Sequence, residues 1–255
     1  MTKKRHSKFF LRNWIKPIIN ISHIKHLIPK YIKYLRDWKN YSQMKYAEEM
    51  SFKNLQPALF DDLPKTPFDP HYFYQDIWAF TRIIKSGPDS HVDIGSNIYF
   101  IGFLAVLIKV TFIDIRPLTA NINNLKSIKG SIISIPYQDN SIKSISCLHV
   151  AEHIGLGRYG DKLDPLGTKK ATKELVRVLA KDGNLFFSLP IGRPRLCFNS
   201  HRIHSTDQIL EYFSDLELVE LSGVDDSGRY VQNINKNKLD LCDYGCGFFW
   251  FTKKK

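Results

Sequence analysis

No apolar run in the 255-residue chain is long enough to cross a bilayer. The longest, Tyr99 to Ile108, is about half of the ~20 residues such a crossing needs. No start of secretory type is present, because Phe9-Phe10-Leu11 is followed at once by Arg12 and Asn13. Cysteine is scarce, with four residues: Cys147, Cys197, Cys242 and Cys246. Only Cys242 and Cys246 are closely spaced, and no second pair stands near enough to complete a metal site, so all four are read as ordinary thiols. These absences lead to the expectation of a cytoplasmic chain with reduced thiols. No internal repeat is visible. Glycine is thin where it would matter most, since the turn in HVDIGSN holds Gly95 alone and no second or third glycine to cradle a pyrophosphate.

Charge is plentiful but uneven. The chain carries a formal +12, and residues 1–50 account for +9 of it, with twelve Lys/Arg against Asp37, Glu48 and Glu49. The basicity therefore belongs to an appendage, and the remainder is close to neutral. Within that appendage Ile24, Leu27, Ile28, Tyr31, Ile32, Leu35 and Trp38 follow helical spacing, with basic residues between them. Pro17 and Pro29 are expected to break this into short pieces. Two readings stay open, a helix lying on an anionic membrane surface and a helix packed on the body with a solvated basic face. A nucleic-acid arm is disfavoured, because regular mixing with Ile and Leu suits an apolar layer better than phosphates.

Three regions follow from the pattern: a basic amphipathic extension over 1–54, a linker and docking helix over 55–87, and an α/β domain over 88–255. Pro57, Pro64, Pro67 and Pro70 mark the linker. Asp69-Pro70 then starts a helix that stops at Gly87-Pro88. Strands are expected at 91–94, 110–115, 131–135, 144–149, 184–189 (after an Asp182-Gly183 turn), 216–221 and 247–252. Helices are expected at 97–108, 168–180 and 205–213. This alternation predicts a mostly parallel sheet covered on both faces, with ligands beyond the carboxyl ends of its strands.

At that end Gly95 lets the backbone turn tightly, and the following helix start offers amide hydrogens. Asp114 ends the next strand, 21 residues after Asp93, where a carboxylate can accept both hydroxyls of a ribose. Together these point to a nucleoside-bearing ligand.

Further on, IPYQDNSI (135–142), SISCLHVAEHI and ELVRVLAKDGNLFFSLP resemble successive landmarks of class I S-adenosylmethionine-dependent methyltransferases: an "LPF-D-S-F" turn, a strand ending in "HVLEH" and a "RVLKPGG-L" crossover. With VDIGS and FIDIRP in front, the likeness covers about residues 88–252. HVAEHIGLGRYGDKLDP, IGRPRLCFNSHRIHS and CDYGCG resemble signatures of a family within that superfamily, domain of unknown function 268, often found with bacterial surface-polysaccharide functions. The resemblance implies a Rossmann-like α/β sheet, mostly parallel with an antiparallel C-terminal strand, and S-adenosylmethionine as cofactor. It implies that Asp93, Gly95 and Ser96 face the methionine and sulfonium part. Asp114 would hold the ribose, Ile115 would lie against the adenine, and His149 beside the cofactor. Glu152 and His153 would stand at the pocket mouth. Asn97 and Tyr99 stand where the family has small residues, and Ser131 where it often has an acid for the adenine amine.

Methyl transfer to a hydroxyl needs alignment and removal of one proton, which histidine suits near neutral pH. His153 is the first candidate base and His201 the second. Arg158, Arg193, Arg195 and Arg202 are candidates to grip an anionic acceptor. Asp161, Asp164, Asp225 and Asp226 are read as turn formers, and no metal is expected. The expected activity is O-methylation of a saccharide or glycolipid at the cytoplasmic membrane face. The rivals are a methyltransferase-fold binding module without catalysis and an RNA methyltransferase; a nicotinamide-dependent enzyme is poorly supported.

Overall fold

All four residues of the His91–Ile94 stretch, polar and apolar alike, are buried. Such a strand has to be covered on both faces, and that requirement sets the architecture. The structure, a computed structural model, describes residues 21–51 and 55–253. The chain divides between Pro67 and Phe68 into two compact units.

In the first unit, helix α1 spans Ile21–Ser42. Pro29 lies inside it, so the expected break does not occur there; the helix forgoes one amide hydrogen bond and continues. Pro17 and the rest of residues 1–20 lie outside the described residues. Ile28, Tyr31, Ile32 and Leu35 form an i, i+3, i+4, i+7 stripe, and all four are exposed. Lys33 and Asp37 pair on the same helix at 2.8 Å. Among the described residues no helix is long and apolar enough to cross a membrane.

The second unit opens with α2, Pro70–Ser86. Asp69 caps it by accepting the His71 amide hydrogen, and Gly87 closes it in the left-handed conformation. The helix lies in the same compact unit as the α/β body, which begins at Phe68. The main sheet has eight strands: β1 Ser90–Ile94, β2 Lys109–Asp114, β3 Leu125–Lys129, β4 Ile142–Leu148, β5 Leu179–Ile191, β8 Leu216–Val224, β9 Tyr230–Val231 and β10 Gly245–Lys253. Their spatial order is β3-β2-β1-β4-β5-β10-β8-β9. The first five run parallel, and β10 is antiparallel to both β5 and β8. β6 (Arg195–Cys197) and β7 (His201–Ile203) form a separate hairpin.

One face of the sheet is covered by α2 and α3 (Ile98–Leu107), through Trp78, Ala79, Ile83, Phe100, Ile101 and Leu104. The other is covered by α4 (Gly167–Val178), α5 (Thr206–Tyr212) and α6 (Lys236–Asp240), through Ala171, Leu175, Ile209 and Leu239. A buried polar tie locks α2 to β8: the Trp78 indole N–H and two Arg82 nitrogens donate to Glu220 at 3.0–3.1 Å. This is the doubly wound, mostly parallel sheet with an antiparallel β10 that the sequence predicts.

Several elements differ from expectation. Ser131–Ile135 is a turn closed by a single Ser131–Ser134 bridge, and the strand lies just before it, at β3. As an edge strand with only Leu125 and Ile128 apolar, β3 gives little signal. Asp182-Gly183 is absorbed into β5 as a bulge, with Asp182 at φ 57° and a register shift opposite Ile142 and Ser144. The β6–β7 hairpin, β9 and α6 are too short to show periodicity.

Beneath the sheet's centre, His91 lies fully buried between two serines, with Nδ1 2.7 Å from Ser144 Oγ and Nε2 2.8 Å from Ser146 Oγ. Burial lowers its pKa to about 3. Above an unfolded pKa of about 6.5 both states are neutral. Below it the unfolded chain binds a proton that the folded chain refuses down to about pH 3, so His91 makes stability fall with acid. The stability gap between wild type and His91→Gln is expected to shrink by roughly 2 kcal/mol from pH 7 to pH 5. Parallel urea titrations check this; a gap independent of pH would show that His91 does not titrate as its burial demands.

Candidate active site

The turn after β1 is held by one buried carboxylate. Asp93 Oδ1 accepts the Ser96 amide at 3.0 Å, and Oδ2 accepts the Ser96 hydroxyl at 2.7 Å and a short bond from the Ser146 hydroxyl. Ser96 Oγ in turn accepts the Leu148 amide at 3.1 Å. The turn of β1 is thereby pinned to β4. Burial pushes Asp93 up to about 7 against the pull of these three donors.

Above this clamp a cleft of about 480 Å³ opens at the carboxyl ends of β1, β2 and β4, a volume typical of small-ligand sites. Gly95, at φ 65°, forms part of its floor; a Cβ there would stand 3.4 Å from both Asp114 Oδ2 and Val150. Asp114 Oδ1 accepts the Arg116 amide at 2.6 Å, while Oδ2 is turned toward Gly95. Ile113, Ile115, Ile132 and Ile133 give the cleft apolar walls, and Ser131 lies among them. The Arg116 guanidinium lies over the Tyr159 ring at 4.9 Å. Asn97, Tyr99 and Phe100 do not enter this space: Asn97 caps α3, Tyr99 is exposed and Phe100 is buried on the α2–α3 face.

The cleft's far wall is the loop after β4, carrying His149, Val150, His153, Ile154 and Gly155. His153 Nδ1 donates to the Ser200 carbonyl at 2.6 Å, which leaves the Nε2 lone pair 3.5 Å from Glu152 Oε1. Burial lowers His153 to about 4 and raises Glu152 to about 8, so at neutral pH the pair is a neutral imidazole facing a protonated carboxyl. Neither Glu152 oxygen has a hydrogen-bond partner among the described residues. Gly155, Gly157 and Gly160 all have positive φ, and Asp161 accepts the Gly155 amide at 2.6 Å, so HIGLGRYGD is a loop folded on its own backbone.

Of the residues read as cofactor contacts, Gly95, Asp114 and Ile115 line the cleft together. Asp93 and Ser96 differ from that reading. They lie beneath the turn with their polar atoms spent on each other and on β4, so they buttress the cleft instead of lining it. His149 touches the cleft, but its ring nitrogens face elsewhere: Nδ1 donates to Gln75 Oε1, and Nε2 is 3.7 Å from Cys246 Sγ. His201 lies outside the cleft, its Nδ1 2.9 Å from Ser200 Oγ and its ring against Tyr244. Arg202 donates to the Ile154 and Asp164 carbonyls, Arg195 to the Asp243 carbonyl and Arg158 to the Ser200 carbonyl, so all three tie loops together; Arg158, Arg193 and Arg195 are exposed, with Arg193 4.0 Å from Asp243. Asp161, Asp164 and Asp225 accept backbone amides in turns; Asp226 instead accepts the Asp243 and Tyr244 amides, tying two distant loops.

The sequence reading did not find His71 and Gln75, which surround His149 together with Cys246; Cys246 is weighed there only as a pair with Cys242. Their positions in the chain are too far apart for a motif. The one available signal was the i, i+4 spacing of His71 and Gln75, which puts both on one face of α2. At Gly95 a side chain has to adopt the left-handed region beside Asp114. Gly95→Ala is expected to cost roughly 1–2 kcal/mol; an unchanged urea midpoint would mean that the turn is not held at this φ.

Comparison with known proteins places this architecture. The chain is similar to the N-methyltransferase NodS of Bradyrhizobium japonicum WM9, solved in complex with S-adenosyl-L-homocysteine, with TM-score 0.52 at 16% identity over 78% of this chain and 92% of that one. It is similar to the 1,6-didemethyltoxoflavin-N1-methyltransferase of Burkholderia thailandensis, solved with 1,6-didemethyltoxoflavin and S-adenosylhomocysteine, with TM-score 0.54 at 10% identity over 73% of this chain and 80% of that one. It is also similar to the [4+2]-cyclase SpnF, with TM-score 0.51 at 14% identity over 72% and 80%. At these identities the likeness is one of fold, the Rossmann-like class I methyltransferase fold. No curated protein matches the chain. Residues 114–241, half of the chain, match one family model, and the chain belongs to that family, described as "Caenorhabditis protein of unknown function, DUF268".

Proposed function

We propose that this protein is an S-adenosylmethionine-dependent methyltransferase with its cofactor in the cleft beyond β1 and β2. The observation that carries the reading is Asp114 beside Gly95: a carboxylate with one oxygen turned toward a bare glycine, among isoleucine walls. That arrangement suits a ribose held by its hydroxyls with an adenine between apolar side chains. S-adenosylmethionine, when bound, supplies a methyl group already activated on a sulfonium. The chain's part is then to hold the acceptor in line and take its proton. His153 is the base in this reading, since its Nδ1 hydrogen is committed to Ser200 and its Nε2 lone pair is free of a proton at neutral pH.

The finer reading is an oxygen acceptor of saccharide or glycolipid type, met at an anionic membrane surface. The family description names no substrate, so support comes from the chain itself. Exposed Arg158 and Arg193 suit an anionic sugar. The exposed stripe of α1, flanked by Lys33, Arg36 and Lys39, suits a lipid headgroup layer.

A second reading keeps the fold without methyl transfer. The single-glycine turn and the likeness to a [4+2]-cyclase favour it. Calorimetry separates the two. S-adenosylmethionine and S-adenosylhomocysteine are expected to bind, and Asp114→Ala is expected to weaken binding by about 1–3 kcal/mol. His153→Gln is expected to keep the affinity and lose turnover. A folded Asp114→Ala with wild-type affinity would remove the ribose assignment, and no heat at millimolar ligand would leave only the second reading. The full chain is also expected to pellet with phosphatidylserine vesicles and not with phosphatidylcholine. The triple change Lys33→Glu, Arg36→Glu, Lys39→Glu should weaken pelleting by roughly 3 kcal/mol or more, at about 1 kcal/mol per basic residue lost. Equal pelleting of both forms counts against the membrane reading.

A further inference from the structure

Three donors from three separate elements meet beside the cleft. His71 stands in the first turn of α2, His149 just past the end of β4, and Cys246 near the start of β10. One donor atom from each lies within 4.8 Å of the other two. His149 and Cys246 are buried, and His71 is partly buried. Among the described residues no other group of three or more His, Cys, Asp or Glu donors gathers closely enough to share an ion.

The distances suit a tetrahedral ion. Zinc holds nitrogen at about 2.0–2.1 Å and sulfur at about 2.3 Å, so the N···S edge of its shell is roughly 3.6 Å. Cys246 Sγ and His149 Nε2 are 3.7 Å apart. The widest separation has to close by only about 1 Å, which a small rotation of the partly buried His71 ring supplies.

The neighbours have the polarity that metal ligands need. Gln75 Oε1 only accepts, so His149 Nδ1 carries the hydrogen and Nε2 presents its lone pair to Cys246. The Gln75 amide is itself oriented, since its oxygen also accepts the Ser188 hydroxyl and its nitrogen donates to Asp76 at 3.0 Å. Imidazole ligands are typically fixed by such a bond from the nitrogen that does not bind the metal. The other imidazole, His71, packs against the Tyr244 ring with centroids 5.1 Å apart. Glu152, three residues after His149, is wholly buried with both oxygens unpartnered among the described residues, and a buried polar group of this kind is costly without a partner.

We propose that His71, His149 and Cys246 bind one divalent cation of the zinc class. Two imidazoles and a sulfur select zinc-like ions over magnesium or calcium, which take oxygen ligands. Three protein ligands leave one position in a tetrahedral shell for water or another small ligand. The site stands apart from the methyl-transfer reading, because the ring nitrogens of His149 are turned away from the Asp114 cleft.

The test uses the full chain, stripped with a chelator and titrated first with Co²⁺ and then with Zn²⁺. The expected result is one Co²⁺ per chain with a thiolate-to-cobalt charge-transfer band in the near ultraviolet, displaced by Zn²⁺. Cys246→Ser should abolish the band and Cys242→Ser should keep it. His71→Ala should weaken Zn²⁺ binding by about ten-fold or more. A folded wild-type chain without the band overturns the proposal, and so does an undiminished band in Cys246→Ser. Because the first readout needs no variant, a variant that fails to fold leaves the test standing. S-adenosylmethionine binding is measured on the same stripped and loaded samples. Metal uptake without nucleoside binding overturns the methyltransferase reading alone; nucleoside binding without metal uptake overturns the metal site alone.

Discussion

Everything at the carboxyl end of the sheet hangs on the Asp93 carboxylate. It is buried between two parallel strands, and it survives there because three donors converge on it from Ser96 and Ser146. Those donors come from β4 and from the turn after β1, so meeting the carboxylate's needs fixes one strand end against the other. Gly95 follows from the same constraint. A turn drawn back onto Asp93 needs a left-handed residue in the middle, and the space beside it is already occupied by Asp114 and Val150. Removal of a hydrogen-bond partner would leave a buried charge uncompensated, which costs far more than the bond itself.

This explains which parts of the site were legible in the sequence. Gly95, Asp114 and Ile115 sit where a strand ends and the chain turns, and that position alone places a residue at the ligand end of a parallel sheet. Asp93 and Ser96 share the motif but not the role, because alternation along a strand and the pull of a turn send their side chains inward, which a one-dimensional pattern does not record. The fold was readable for a related reason. β1, β4 and β5 are central and covered on both faces, and α2 carries a cap at each end. What escaped was either at the edge, as with β3, or too short for a period, as with β9 and the β6–β7 hairpin. The Ser131–Ile135 stretch has strand-like composition and folds as a turn, since Gly130 and Pro136 bound it and β3 already fills the edge position.

Helix α2 has a larger part than a docking element. It closes one face of the sheet with Trp78, Ala79 and Ile83 and is tied to β8 through Glu220. From the same helix His71 and Gln75 reach toward His149, and Asp76 accepts from the Asn97 side-chain Nδ2 at 3.1 Å, next to the turn of β1. One helix thus sets both the start of α3 and the environment of the β4 end. Any displacement of α2 would be felt in the cleft and in the His71–His149–Cys246 group together.

The ionisable groups around that end share a further property, which is that burial drives them toward their uncharged forms. His149 and His153 are lowered to about 3 and about 4, Glu152 is raised to about 8, and the Cys147 and Cys246 thiols are held up. The interior is rich in proton carriers yet poor in fixed charge. In such surroundings a charge that arrives with a ligand is weakly screened, and each nearby dipole acts on it more strongly than water would allow. A neutral imidazole whose outer nitrogen is anchored to a carbonyl is then already in the state from which it can accept a proton. A buried, uncharged wall thus stands beside a polar rim at Asp114 and Arg116. In the proposed reading, recognition of the ligand's polar groups belongs to the solvent edge and proton transfer to the side where burial has stripped the groups of charge.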